Sequence, residues 1–109
     1  MKIDMVYLYD LYAPLLSERQ REILNLLYNE DESLSEISEN IGITRQGVRD
    51  YIVKSEALLS GFENALHLHK KLTELSEYVD ELKELAEKTG ADGQLKIKIS
   101  ALKDKLFQQ

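Results

Sequence analysis

Apolar residues recur along most of the chain at intervals of three and four, the spacing that places them on one face of an α-helix. This pattern predicts a short, heavily buried helix over residues 2–13, which Pro14 ends. A second helix is expected after Ser17, because a serine followed three residues later by Gln20 forms a capping-box pattern. The first third of the chain should therefore contain two short helices in close succession.

A third helix is predicted to begin after Ser33 or Ser35 and to end at Gly42, since glycine readily takes the left-handed conformation that closes a helix. Thr44 is expected to cap the next helix. From Thr44 to about Lys88 the pattern predicts helix almost without interruption, because no proline occurs there.

The long helical segment carries a stripe of apolar residues with coiled-coil-like spacing. The stripe consists of Phe62, Leu66, Leu72, Leu75, Val79 and Leu82. Because such a stripe requires a partner, we expect these residues to form the interface of a homodimer. Glycine weakens a helix interior by about 1 kcal/mol relative to alanine, so Gly61 could kink or divide the segment, and the sequence leaves that choice open.

The clearest turn in the chain is GADG, residues 90–93, which allows the last segment to fold back on the long helix. Residues 94–109 fit both the alternation of a strand and the spacing of a helix. No second strand is evident, so we expect a helix. The predicted ending is therefore a helical hairpin.

Composition agrees with an all-α chain that forms one compact domain and an extension. The 109 residues include one proline, five glycines and no cysteine, which excludes disulfides, cysteine-based zinc sites and a thiol nucleophile. His67 and His69 point in different directions on a helix, and no serine has an activating base, so we expect no metal, no cofactor and no catalysis. The chain start lacks the apolar core of a signal peptide, and no apolar run reaches membrane-spanning length. We expect a soluble, cytoplasmic protein without membrane insertion.

The net charge of −6 argues against a protein that coats nucleic acid non-specifically, since that mode depends on many basic side chains. Residues 1–60 contain 6 basic and 11 acidic residues, against 8 basic and 9 acidic in residues 61–109. Any contact with DNA must therefore be local.

Residues 33–54 are predicted to form a helix, a tight turn and a second helix, as in a helix-turn-helix. The outward face of the second helix carries five candidate DNA-binding residues: Thr44, Arg45, Gln46, Arg49 and Lys54. Arginine can donate two hydrogen bonds to guanine, glutamine can pair with adenine, and threonine can meet a phosphate or a methyl group. An ordinary helical hairpin with solvated arginines fits the spacing equally well, because acidic neighbours offer salt-bridge partners.

Two resemblances extend this interpretation. Residues 16–59 resemble the helix-turn-helix promoter-recognition domain of bacterial sigma factors, in which LSERQREIL opens the domain and GITRQGVRDY occupies the recognition helix. Nearly the whole chain, from MVYLYDLYAPLLSERQ to the long charged tail, is similar to the YlxM family of small bacterial helix-turn-helix-like proteins. That similarity implies a DNA-binding regulator whose family, encoded next to signal recognition particle GTPases, is inferred to take part in protein targeting or to regulate it.

Carried over by position, the resemblance points again to the residues Thr44, Arg45, Gln46 and Arg49. Asp50 and the overall acidity depart from an efficient DNA binder, so the alternative is a module that binds protein or RNA of the targeting pathway without binding DNA. The predicted organisation is a sigma-like helix-turn-helix domain over 1–59, followed over 60–109 by a long helical extension and a C-terminal hairpin that supports dimerisation.

Overall fold

The computed structural model describes residues 4–106, and within that range every regular element is helical. The elements in chain order are α1 (Met5–Tyr12), a 3-10 turn (Ala13–Leu15), α2 (Glu18–Tyr28), α3 (Leu34–Ile41), α4 (Arg45–Leu66), α5 (Leu68–Lys88) and α6 (Gly93–Leu106). The all-α fold class predicted from the sequence is confirmed. The chain divides into a first unit, Met1–His67, and a second unit, Leu68–Gln109.

Side-chain caps determine where the first two helices begin. The Asp4 carboxylate accepts a hydrogen bond from the Val6 N–H at 3.0 Å, which starts α1, while residues 2 and 3 of the predicted 2–13 helix lie outside the described residues. The Ser17 hydroxyl accepts a bond from the Gln20 N–H, and the Gln20 side chain accepts one from the Ser17 N–H at 2.9 Å. The capping box predicted for α2 is therefore confirmed.

The start of α3 answers the question that the sequence left between two serines. Ser33 is the capping residue: its hydroxyl accepts the Glu36 N–H at 3.1 Å, and the Glu36 side chain accepts the Ser33 N–H. Ser35 lies inside the helix. Only Ser33 has a glutamate three residues later, since residue 38 is a serine, and this difference selects the cap.

The first unit buries two clusters of apolar side chains, and α4 contributes to both. One cluster joins α1, α2 and the later turns of α4, and its buried members are Leu8, Tyr12, Leu16, Leu24 and Leu59. The other joins α2, α3 and the first turns of α4, and its buried members are Ile23, Ile37 and Val48. Because Leu27 and Ile52 pack against both clusters, the core of this unit is continuous.

The helix that starts after Thr44 ends much earlier than the sequence indicated. It passes through Gly61 without a break and ends at Leu66, where His67 takes a left-handed conformation with φ 53° and ψ 30°. The expectation of nearly uninterrupted helix from Thr44 to Lys88 was therefore wrong at His67. Left-handed geometry costs an L-residue roughly 1–2 kcal/mol, which is why a histidine gave no sign of a helix end.

The boundary between the two compact units falls beside the same residue, between His67 and Leu68. The physical reason is that α4 continues to pack on α1 beyond Leu59. The Phe62 ring lies 5.8 Å from the Tyr12 ring between centroids. One residue later, the Glu63 carboxylate accepts a hydrogen bond from the Tyr12 hydroxyl. These contacts make the last turns of α4 part of the first unit.

The second unit is a hairpin of α5 and α6, joined by a turn over residues 89–92. The turn predicted from sequence was 90–93, and Gly93 is instead the first residue of α6. Its small core consists of Val79 and Ala86 from α5 with Ile99 from α6. The last segment is helical as predicted, up to Leu106, and residues 107–109 lie outside the described residues.

Candidate nucleic-acid interface

The turn between α3 and α4 has the geometry that a helix-turn-helix requires. Gly42 takes a left-handed conformation, with φ 80° and ψ 32°, and its N–H donates to the Ser38 carbonyl at 2.9 Å. The Ser38 hydroxyl donates to the Ile43 carbonyl at 2.5 Å. These bonds satisfy backbone groups at the end of α3 and hold the turn in one conformation, so the start of α4 has a defined direction.

The inner side of the turn is fully packed. Ile37 of α3 and Val48 of α4 are both 0% exposed, and Ile23 of α2 meets them in the same cluster. The half-buried Ile41 and Ile43 pack against this cluster from the turn. Because the apolar face of the first turns of α4 is occupied, the exposed face is polar and available to a partner.

All five residues predicted to bind DNA are exposed, and they do not form one patch. Arg45 and Arg49 are four residues apart, so they lie on the same side of α4. Gln46 follows Arg45 around the helix, towards the middle of the exposed face. Lys54 is five residues beyond Arg49, a spacing that turns it away from the arginines. The structure therefore groups Arg45, Gln46 and Arg49 and leaves Lys54 apart.

Thr44 has a structural role before any functional one. Its hydroxyl oxygen accepts a hydrogen bond from the Gly47 N–H at 3.0 Å, which makes it the N-cap of α4. A Cβ added to Gly47 would lie 3.2 Å from that oxygen and 3.5 Å from Cδ1 of Ile43. Gly47 thus allows the first turn to close tightly over the cap and the turn residue.

Asp50 is the residue that most changes the chemistry of this surface. Its carboxylate accepts a hydrogen bond from the Gln46 side-chain amide at 3.0 Å. The glutamine is thereby held in one position along the helix, with its carbonyl oxygen and second N–H still able to pair with a base edge. The same carboxylate places a negative charge on the exposed face, which opposes close approach of a phosphate. Binding through this surface must therefore depend on orientation more than on net charge.

Two hydrogen bonds between tyrosine and glutamate fix α4 against the helices behind it. The buried Tyr12 hydroxyl donates to the Glu63 carboxylate at 2.6 Å. The Tyr28 hydroxyl donates to the Glu56 carboxylate. Burial raises the pKa of Tyr28, and the hydrogen bond to Glu56 and the charge on it raise that pKa further. Sequence reasoning missed both pairs, because partners 51 and 28 positions apart leave no local pattern.

Tyr9 also serves the fold. The Tyr9 ring lies edge-on to that of Tyr28, with centroids 5.7 Å apart, and the Tyr9 hydroxyl donates to the Arg21 carbonyl. Burial raises the pKa of Tyr9, while the charge of Arg21 works in the opposite direction. These rings therefore strengthen the core that supports the candidate interface.

The six residues expected at a dimer interface have different environments. Phe62 packs against the core of the first unit, and Val79, at 4% exposure, belongs to the core of the hairpin. Both side chains already have partners within the chain. Leu72 is half-buried. Large parts of the other three side chains are open to solvent: Leu66 at 51%, Leu75 at 49% and Leu82 at 49%.

None of the helices in residues 4–106 is both long enough and apolar enough to cross a bilayer. The same residues contain no group of three or more histidine and carboxylate side chains arranged to hold a metal ion.

Comparison with known proteins identifies the family to which the chain belongs. Residues 1–99 match the model of the family UPF0122, described as "Putative helix-turn-helix protein, YlxM / p13 like". A UPF0122 protein of Halalkalibacterium halodurans is 39% identical over 100 residues, covering 92% of both chains. The protein YlxM of Bacillus subtilis is 40% identical over 98 residues, covering 90% of this chain and 89% of its own. A relative from a Thermoanaerobacter species is 44% identical over 79 residues, or 72% of this chain and 68% of its own.

Proposed function

Since the chain belongs to the UPF0122 family of YlxM-like helix-turn-helix proteins, we propose that it is a non-enzymatic, cytoplasmic regulator that binds duplex DNA through the first turns of α4. The observation that carries this proposal is the exposed group Arg45, Gln46 and Arg49, which projects from a turn whose inner side is fully packed. A rigid support behind a short polar surface is what a recognition helix needs to present side chains to base edges.

The two arginines are the residues on which DNA binding should depend. Each guanidinium can donate two parallel hydrogen bonds, either to the O6 and N7 atoms of guanine or to a phosphate. Gln46 supplies an amide whose position is fixed by Asp50, which suits recognition of adenine. Thr44, beside its capping role, and Lys54, on another part of the helix, would contact the backbone.

The charge of the chain determines how tightly we expect it to bind DNA. Two or three cationic side chains at the interface would displace few counterions from the DNA. The logarithm of the binding constant should therefore fall with the logarithm of the salt concentration, with a slope of about −0.9 for each phosphate contacted. We therefore expect weak binding to DNA of arbitrary sequence at low ionic strength. Tighter binding requires additional contacts to the bases of a specific sequence. The resemblance of residues 16–59 to the promoter-recognition domain of sigma factors suggests promoter-proximal DNA as the target, and the family resemblance suggests a connection with the signal recognition particle pathway.

Fluorescence anisotropy with mixed-sequence duplex DNA across a salt series tests this proposal. We expect the wild type to bind with clear salt dependence, and the double variant Arg45→Ala/Arg49→Ala to lose at least tenfold in affinity, about 1.4 kcal/mol. Lys83→Ala/Lys88→Ala removes the same charge from the second unit and should bind like the wild type. Absence of binding by the wild type at low salt, or equal losses in both variants, would overturn the proposal.

Asp50 and the net charge of −6 favour one alternative, an interaction module that binds protein or RNA of the targeting pathway and does not bind DNA. Under this alternative the wild type would bind signal recognition particle RNA or co-purify with the pathway's GTPase, and Arg45→Ala/Arg49→Ala would leave that association unchanged. The same anisotropy series with the RNA in place of the duplex separates the two functions.

A further inference from the structure

The hairpin of α5 and α6 has two different sides. On one side the Lys103 ammonium forms an ion pair with the Asp80 carboxylate at 2.5 Å, which links the two helices. Val79 of α5 and Ile99 of α6 are buried where the two helices meet. Asp80 follows Val79 by one residue, and Lys103 follows Ile99 by four. At 3.6 residues per turn, both Asp80 and Lys103 are rotated in the same direction around their helices from the buried residues Val79 and Ile99. Because the two helices are antiparallel and packed side by side, the two side chains therefore lie on the same side of the hairpin.

The other side carries four leucines with matching offsets. Leu75 precedes Val79 by four residues and Leu82 follows it by three. On α6, Leu95 precedes Ile99 by four residues and Leu102 follows it by three.

On both helices these leucines are rotated from the buried residues in the direction opposite to Asp80 and Lys103. The four leucines therefore lie together on the side of the hairpin opposite the ion pair. The four side chains are 47% to 50% exposed, and we call this surface the leucine face: Leu75, Leu82, Leu95 and Leu102.

The two outer edges of the leucine face carry opposite charges. Along the edge formed by α5, Glu74, Glu77 and Glu81 line a shallow cleft beside Tyr78. Along the edge formed by α6 lie Lys98 and Lys105, which are seven residues apart and both exposed.

The helices differ in charge as a whole, too: α5 contains six acidic and four basic residues, whereas α6 contains one acidic and four basic residues. The leucine face is therefore apolar at its centre, acidic on one edge and basic on the other.

We propose that two copies of this chain associate through their leucine faces, with α5 of one protomer packed across α6 of its partner, as an antiparallel four-helix bundle. A two-fold axis parallel to the helices brings the acidic edge of each hairpin to the basic edge of the other. Packing α5 on the partner's α5 would instead place carboxylates beside carboxylates and lysines beside lysines, which costs energy. The charge pattern thus selects both the occupant of the leucine face and its orientation.

The interface differs from the one expected from sequence. Leu75 and Leu82 remain from the predicted stripe, Leu95 and Leu102 join them, and Val79 lies behind them in the hairpin core. All residues of the proposed interface lie in the second unit, so substitutions there leave Arg45, Gln46 and Arg49 unchanged.

Sedimentation of the full chain without nucleic acid, over a concentration series, tests the association. We expect the wild type to have twice the mass of one chain and Leu82→Glu/Leu102→Glu to sediment as a monomer with unchanged helical circular dichroism. Ile97→Glu is the matched control, since Ile97 is 69% exposed on α6 but away from the leucine face. A monomeric wild type, or dissociation by Ile97→Glu to the same extent, would refute the proposal.

Charge reversal tests the orientation. Glu74→Lys/Glu81→Lys makes both edges basic, and Lys98→Glu/Lys105→Glu makes both edges acidic. Each variant alone should raise the dimer dissociation constant roughly tenfold at low salt, since four edge pairs become repulsive.

An equimolar mixture of the two variants should restore wild-type affinity as a heterodimer. Unchanged dissociation constants for the separate variants would instead indicate α5 packed on α5 and would exclude the proposed arrangement.

Discussion

The two units of this chain use apolar residues in different ways. The first unit packs four helices, and its central side chains, such as Ile37 and Leu59, are completely buried. The hairpin has only two helices, so each can bury one stripe, and a second stripe of leucines remains about half exposed. The first unit encloses its central side chains completely, although Leu15, Val53 and Leu66 at its surface are more than half exposed. The hairpin instead keeps a stripe of leucines about half exposed, which a partner can cover.

This difference separates the two roles that we propose. A recognition helix needs a rigid support, and the first unit provides one through the apolar clusters and the tyrosine–glutamate bonds on α4. An interaction surface needs exposed apolar area, and the leucine face of the hairpin provides it.

The largest effect should come from the core beneath the helix-turn-helix. Ile37→Ala removes three buried carbons from a site with no exposed surface and should lower the free energy of unfolding by about 3 kcal/mol. Ile99→Ala in the hairpin should cost less, since its side chain lies in a smaller cluster at 8% exposure. Native-state amide hydrogen exchange reports each unit separately, and Ile97→Ala provides an exposed control. A larger loss from Ile99→Ala than from Ile37→Ala would reverse the comparison.

The second effect concerns the buried hydrogen bond between α1 and α4. Tyr12→Phe leaves the Glu63 carboxylate, at 6% exposure, without the donor that the hydroxyl supplied, so we expect a loss of about 2 kcal/mol in the first unit. Tyr78→Phe is the control, because Tyr78 is 64% exposed. Urea denaturation followed by far-ultraviolet circular dichroism measures both variants. Equal stability of Tyr12→Phe and the wild type would show that this bond is dispensable.

A third, smaller effect should appear at alkaline pH. The pKa of Tyr28 is raised in the folded protein, so its proton is bound more tightly there than in the unfolded chain. The resulting stability is complete below the unfolded pKa of about 10 and is lost as pH rises above it. The melting temperature of the wild type should therefore fall more steeply above about pH 10 than that of Tyr28→Phe. Parallel curves for the two proteins would mean that Tyr28 titrates normally.

Much of this organisation was accessible from sequence because it depends on local chemistry. The box formed by Ser17 and Gln20, the left-handed Gly42 and the Thr44 cap each involve residues within a few positions of one another. Spacing of three and four also predicted the two helices that form the helix-turn-helix. The family model supports the same helix-turn-helix assignment.

What the sequence concealed depends on contacts between distant segments. The bond from Tyr12 to Glu63 ties the last turns of α4 to α1, and no local pattern could have placed Glu63 in a buried position. The leucine face combines residues of two helices, and its extent becomes visible only when Val79 and Ile99 are seen to meet. The break at His67 is concealed for another reason: left-handed geometry is uncommon for any residue other than glycine, so a histidine after Leu66 does not by itself indicate a helix end.

That histidine gives the smallest of the expected effects, and it lies at the boundary between the two units. His67→Gly relieves the roughly 1–2 kcal/mol cost of a left-handed L-residue, while the added freedom of glycine in the unfolded chain offsets up to about 1 kcal/mol. The net gain should be about 0.5 kcal/mol. Among residues 4–106, Asp31 is the other non-glycine residue with positive φ, and it has the same φ of 53° within the first unit, so Asp31→Gly is a matched comparison. If thermal melting shows a clear loss of stability in His67→Gly but not in Asp31→Gly, then the imidazole makes contacts that outweigh the strain, and the boundary is held by side-chain chemistry as well as by backbone geometry.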